Sequence, residues 1–434
     1  MPPRLHLDVE TCAEPWVLIK TQGSERRIEG VDLKKDGVWN YARHSGTHVY
    51  LFAFKIGLGS TAIVHLWGER QGPTGEERYL KSQTQLFQAH PELPKFLNLL
   101  ASGAIVVAHN AAFEREIWNF IIRRYFPDWP PILLESQDCT MARAHAMGLP
   151  GSLEGVCNAL RLPIRKGDKS VMERLMYHTP FDPVRVSRNE LEELGIYCGL
   201  DVDAEEQLDR TLYPLTPIQR RVWLLDQRIN EGGIPVDKPN VLKALKLVEP
   251  ARESANNEIE RLTGGAVRTA QQAGALLDWL HGRGHAELTS VAQHALETHE
   301  EEHGWRGDEA VARVLLLREA ASRASVAKFQ AIADQLRMTP DNRLRSQFVV
   351  FGTHTGGWAG RAVQPQNLRR FDDDTPEMAR KLMACLELPG TEVLLAPTGW
   401  WPMARKINRE IEKQCGENVL IVLGKCLRAF VKAA

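Results

Sequence analysis

Apolar and polar residues alternate along Leu5-His6-Leu7-Asp8-Val9-Glu10-Thr11, the repeat of a β-strand. Side chains on a strand point alternately to its two faces, so the pattern groups Asp8 with Glu10 and sets Leu7 and Val9 opposite them. The segment from Glu14 to Thr47 is polar and contains glycine, and it reads as a long excursion. Val49 to Ile56 and Ala62 to Trp67 predict two more strands, antiparallel through Gly57-Leu58-Gly59-Ser60. Leu86 to Leu100 has helical spacing, and Ala104 to Ala108 is a short apolar run suited to a central strand. Asn110 stands where an N-cap would open the next helix. Cys139 to Met147 and Gly151 to Leu160 predict short helices, the second capped by Ser152. Ser187 and Glu190 have capping-box spacing at the head of a helix reaching about Leu212.

Beyond Leu215 the spacing is helical over Ile218 to Ile229, Lys238 to Leu262, Gln271 to His281 and Glu309 to Leu336. Glycines interrupt it at Gly232-Gly233, Gly264-Gly265 and Gly282-Arg283-Gly284. His294 to His303, rich in histidine and glutamate, reads as a solvated acidic helix or loop, with metal binding as the alternative. In the tail, Met403 to Lys413 is helical and Val419 to Leu423 is an apolar, strand-like run.

A chain of 434 residues predicts two or three domains, and 43% hydrophobic with 25% charged residues is the balance of a soluble globular protein. The net charge of −1 rules out a polycation, so nucleic-acid contact has to come from local basic patches. The 7 cysteines are scattered without a Cys-x-x-Cys pair, which argues against a disulfide framework or a zinc site. No signal peptide or long apolar span is visible, so the expected setting is cytoplasmic, with no membrane.

Three stretches carry candidate chemistry. Asp8 and Glu10 side by side repel unless a cation lies between them, and a hard divalent ion takes oxygen ligands. A solvated edge strand also fits this pair when it is taken alone. Glu114 falls in or just past the first turn of the helix after Asn110, where an acid also complements the helix dipole. Tyr197 and Asp201 stand four apart on one helical face, which suits either packing or a metal ligand beside a phenol. Phosphodiester hydrolysis needs an activated water and a stabilised leaving oxygen. Two metals about 3.5–4 Å apart, held by carboxylates, provide both, and Tyr197 can orient the water.

In this order, strand Asp-x-Glu, then His109-Asn110-x-x-Phe113-Glu114, then helical Tyr197-x-x-x-Asp201 resembles the DEDD family of 3′–5′ exonucleases, in the subclass with a tyrosine in its third motif. The resemblance implies an α/β fold, the ribonuclease H-like mixed five-stranded sheet with helices, over residues 1–213. It implies two Mg²⁺ or Mn²⁺ ions held by Asp8, Glu10 and Asp201, with Tyr197 placing the water. Glu114 stands where most of the family has aspartate, which shifts that carboxylate by a methylene. Asn110 and Phe113 would contact the DNA strand.

Residues 214–350 resemble the helical thumb of family A DNA polymerases of the phage and prophage type. The match is carried by Leu225-Asp226-Gln227-Arg228-Ile229-Asn230, Gly233-Ile234-Pro235-Val236-Asp237 and Arg318 to Lys328. Gly352 to Leu368 resembles the start of the polymerase palm, over residues 351–370. Gly357 there replaces an arginine of the family pattern, and Arg323 replaces a lysine. Arg323, Lys328, Thr355, Arg361, Gln364, Gln366 and Asn367 are the expected contacts to DNA; uncharged amides suit sugar, phosphate or groove edges. Residues 371–434 match nothing, and Asp-x-Ser-x-Ile-Glu and His-Asp-Glu strings of a palm are absent between Phe371 and Ala434. The expectation is a truncated proofreading exonuclease that binds a single-stranded 3′ end and primer-template DNA. The alternatives are a synthesis subunit completed by a separately encoded palm chain, and a DNA-binding remnant without activity.

Overall fold

In the computed structural model, the alternating segment becomes β1 (Arg4–Ala13), a strand with neighbours on both sides rather than a solvated edge. The structure describes residues 3–432 apart from 16, 21–25, 67–89, 164–168, 177–187, 306 and 323, so the expected cap at Ser187 and the expected contact at Arg323 lie outside the described residues. β2 (Val17–Lys20) and β3 (Arg26–Glu29) form a separate hairpin, followed by α1 (Leu33–Arg43). β4 (Thr47–Ile56) pairs antiparallel with β1 and with β5 (Ala62–His65), through a turn in which Gly57 takes a φ of 58°, a conformation that suits glycine. After α2 (Leu93–Ala101), β6 (Ile105–Ala108) runs parallel to β1 on its other side, and β7 (Gln137–Cys139) runs parallel to β6. The sheet order is β5-β4-β1-β6-β7.

Helices follow the strands: α3 (Ala111–Ile117, prolonged by a π turn over Trp118–Ile122), α4 (Thr140–Ala146), α5 (Leu153–Ala159), α6 (Ser170–Leu175), α7 (Arg188–Thr211) and α8 (Pro217–Gly232). Phe52, Phe54, Phe96 and Trp118 build an aromatic core with ring centroids 4.6 Å apart for Phe54–Phe96 and 5.5 Å for Phe52–Trp118. Burying each such ring contributes about 1.5–3 kcal/mol. α7 lies on β4 and β1, packing Leu191, Leu194, Cys198 and Val202 against Cys12, Leu51 and Ala53. Gly195 permits the helix to approach β5 closely: a Cβ there would meet the His65 ring at 3.3 Å.

The chain clusters into two units, Met1–Gly233 with Arg345–Gln364 and Ile234–Leu344 with Pro365–Ala434. The first contains the sheet, α1 to α8 and a small hairpin of β10 (Phe348–Val349) and β11 (Ala359–Gly360). The second begins with β8 (Ile234–Pro235), paired with β9 (Arg343–Leu344), and is otherwise helical. Its helices are α9 (Lys238–Leu262), α10 (Ala273–His281), α11 (Gln293–Glu302), α12 (Glu309–Ser322), α13 (Ala324–Leu336), α14 (Thr375–Leu386), α15 (Trp401–Cys415) and α16 (Val419–Cys426). α9 is its axis. The buried Lys243 donates to the Leu386 carbonyl at 2.7 Å and to Thr391 Oγ1 at 3.1 Å, and Asn408 donates to the Leu247 carbonyl at 3.1 Å. Residues 371–434 are thus built into this unit.

Several expectations are corrected. The excursion after Glu14 holds a hairpin and α1. Asp32 caps that helix through the Lys34 and Lys35 amides at 3.0 and 2.9 Å, while Gly37, with a φ of 77°, interrupts its periodicity and disguises it. Val419–Leu423 is helical, not strand-like. An unbroken apolar run has no period to read, and here it is buried among α9, α12, α13 and α14, with the Asn418 side chain accepting from the Leu420 amide at 3.0 Å. α11 is not solvated throughout: His299 is buried, 2.9 Å from His285 Nδ1 and stacked on His303 and Trp305. Asn110 occupies the N-cap position of α3 without a side-chain capping bond.

Candidate active site

The site begins on β1. Its register with β4 shifts between Glu10 and Thr11, a bulge just past the two carboxylates. The parallel register with β6 runs from Arg4–Ile105 to His6–Val107, so β6 gives out beside Asp8 and the chain turns there into α3. That turn delivers Glu114, in the first turn of α3, next to Asp8. α7 crosses the same end with Tyr197, Cys198, Asp201 and Glu205.

Asp8, Glu10 and Cys198 offer ligand atoms within 4.8 Å of one another. The Cys198 thiol donates to Asp8 Oδ2 at 3.1 Å, and both Cys198 and Glu10 are buried. The Tyr197 phenol is hydrogen-bonded to the Asp201 carboxylate. Asp201 lies outside the tight three-residue group but acts electrostatically on Cys198 and Tyr197. Burial pushes the Glu114 carboxyl well above its ordinary range, and Asp8 pushes it further. Burial does the same to Glu205, reinforced by Glu114 and Asp8. The Tyr197 phenol is raised by burial and by Asp201, Glu10 and Asp8, and the Cys198 thiol by burial and the same acids. Glu114 Oε2 and Glu205 Oε1 are buried without a hydrogen-bond partner. Oxygen donors in excess, repelling one another and short of hydrogen bonds, are what a hard divalent cation relieves, so such a cation fits this set.

A clamp sets the register of α7. Asp209, near its end, accepts from Arg4 Nε and an Arg4 terminal nitrogen at 2.7 and 2.6 Å, lies 3.0 Å from His6 Nε2, and pairs with Arg143. Asp138 on β7 also pairs with Arg4, at 2.6 Å. Lys55 on β4 holds Asp203 at 2.9 Å. The clamp, Cys198 and Glu205 went unrecognised in sequence. The available signal was the spacing: Tyr197, Asp201, Glu205 and Asp209 recur every four residues, and acids so placed repel unless each has a partner.

The expected DNA contacts fall into two groups. Asn110 and Arg361 line one small cavity of about 50 Å³ in the first unit with Trp223, Asp226 and Val350. There the Trp358 indole donates to Asp226 Oδ1 at 2.8 Å. Phe113 lies 6.3 Å from Tyr41 of the unforeseen α1, ring centre to ring centre, and Tyr41 is 3.0 Å from the Thr11 hydroxyl. Thr355 and Gln364 are exposed in this unit. Lys328, half-buried, and the exposed Gln366 and Asn367 belong to the second unit.

No protein-family model matches the chain. It is 30% identical over 372 residues to a DNA polymerase of Bacillus phage SP02, an alignment that takes in 82% of this chain and 52% of that protein. The chain thus spans about half the length of the relative it matches. Among the described residues no helix is long and apolar enough to cross a membrane. A likeness of this extent makes the chain a relative of phage-type DNA polymerases.

Proposed function

We propose that the first unit is a ribonuclease H-like, metal-dependent 3′–5′ exonuclease that trims a single-stranded DNA 3′ end, and that the helical region after it is a thumb-like module for primer-template DNA. The single observation that carries the reading is the close grouping of Asp8, Glu10 and Cys198 on β1 and α7, with Glu114 and the Tyr197–Asp201 pair coupled to it electrostatically. The sheet order with one antiparallel and one parallel neighbour for β1 supports it, and so does the likeness to a DNA polymerase.

Asp8, Glu10 and Asp201 would hold two Mg²⁺ or Mn²⁺ ions, which when bound lower the pKa of the attacking water and steady the leaving 3′ oxygen. The protein's own groups do the positioning. Cys198 fixes the Asp8 carboxylate by donating to it. Tyr197, kept protonated by burial and the surrounding acids, serves as a hydrogen-bonding phenol that orients the water rather than as a base. Asn110 and Phe113, at the start of α3, would receive the terminal nucleotide. A second reading, a part in DNA synthesis, is supported by the likeness to a DNA polymerase.

The test is digestion of a labelled single strand by the purified chain. Digestion should require Mg²⁺ or Mn²⁺ and proceed from the 3′ end, and Asp8→Ala should slow it by about a thousandfold or more. Equal rates for parent and Asp8→Ala would falsify the site, and a parent that is inert with either metal overturns the activity.

A further inference from the structure

Among the acids that act on one another at the site, one has so far been given no role. Glu205 lies one helical turn beyond Asp201 on α7 and is only 2% exposed. Its Oε2 accepts the His109 backbone amide at 3.0 Å. His109 opens the turn between β6 and α3, and its ring is held in turn by Thr140 Oγ1 at 2.9 Å and the Gly151 carbonyl at 3.0 Å. One Glu205 oxygen therefore ties α7 to the turn that carries Glu114. The other, Oε1, is buried with no hydrogen-bond partner, as is Glu114 Oε2, which is 4% exposed as a residue. Glu114, Asp8 and Asp209, all acids, act on Glu205.

A buried carboxylate oxygen without a donor costs the full desolvation of that atom, and more when it is charged. Two such oxygens in one acidic neighbourhood cost more still. Resting on the metal-centre reading above, we propose that Glu205 is a fifth carboxylate of that centre. Through Oε2 it locks the β6–α3 turn to α7, and it offers Oε1 to the same divalent ion as Glu114.

The experiment is Mn²⁺ binding to the metal-free full chain, read by calorimetry and by the resonance signal of free Mn²⁺, with no turnover involved. Glu205→Gln keeps the size and an oxygen for the His109 amide but removes the charge. It should weaken Mn²⁺ binding at least about tenfold, while its unfolding midpoint in chelator stays at or above the parent's. Glu205→Asp keeps the charge and withdraws the carboxylate by a methylene; it should also weaken binding, and it serves if the first variant does not fold. Glu193→Gln, an exposed acid of the same helix, should bind as the parent does. Affinity within twofold of the parent for both Glu205 variants, with Asp8→Ala losing binding, overturns the role of Glu205 alone. Parent-like binding by Asp8→Ala as well overturns the metal centre itself.

Discussion

Replacing Asp209 by alanine tests whether the clamp on α7 holds the site together. The Asp209 side chain is 7% exposed, and that of Arg143, which pairs with it, is 3% exposed. Arg4 brings two further bonds and His6 one contact. Asp209→Ala leaves the Arg143 guanidinium buried, but the carbonyls of Asp209, Leu212 and Tyr213 still accept from it, and Asp138 still faces both arginines. Breaking a buried ion pair costs roughly 3–5 kcal/mol; with these acceptors kept, the lower end, about 3 kcal/mol, applies. In a unit of this size each kcal/mol moves the unfolding midpoint by about 2–4 °C, so the fall should be roughly 6–12 °C. The pH dependence has a definite sign. Burial alone would raise the Asp209 carboxyl, but hydrogen bonds from His6, Arg4 and Arg143 outweigh it and hold the carboxyl below its usual range. Such a group stabilises the fold above its unfolded pKa of about 3.9, and the contribution is lost as pH falls through the lowered folded value. Thermal unfolding by circular dichroism from pH 3 to 8 should therefore show a gap between parent and variant that is full above about pH 5 and narrows progressively as pH falls below about pH 4. A midpoint within about 2 °C of the parent at pH 7, or a gap that widens on acidification, refutes the clamp.

Tyr197→Phe removes one hydroxyl from a buried ring. We expect digestion to lose about 10- to 100-fold in kcat with KM nearly unchanged, because the phenol acts on the water and not on the strand; a shift in KM alone would place Tyr197 in binding. Leu423 of α16 is fully buried, so Leu423→Ala should cost about 2–5 kcal/mol in urea unfolding, with a lost transition for the second unit. A cost below about 0.5 kcal/mol would mean that residues 371–434 hang outside the core.

Local periodicity decided a definite part of this protein. The two-residue repeat of β1 puts Asp8 beside Glu10, and the helical repeat puts Tyr197 over Asp201, because each depends only on backbone geometry within a few residues. Helices with clear amphipathic spacing, such as Lys238–Leu262, are legible for the same reason. α1 was not, since Gly37 breaks its period and its buried face is narrow, and α16 was not, since a wholly apolar run has no face at all. Only the tertiary structure made β1 an interior strand, turned Glu114 from a helix-end acid into a buried one, and brought Cys198 to Asp8 across 190 residues of sequence. It also decided that Glu205 meets the His109 turn and that Asp209 meets Arg4 and Arg143. Burial and long-range pairing are properties of what lies opposite a side chain, and no spacing within one segment encodes the partner that another segment brings to it.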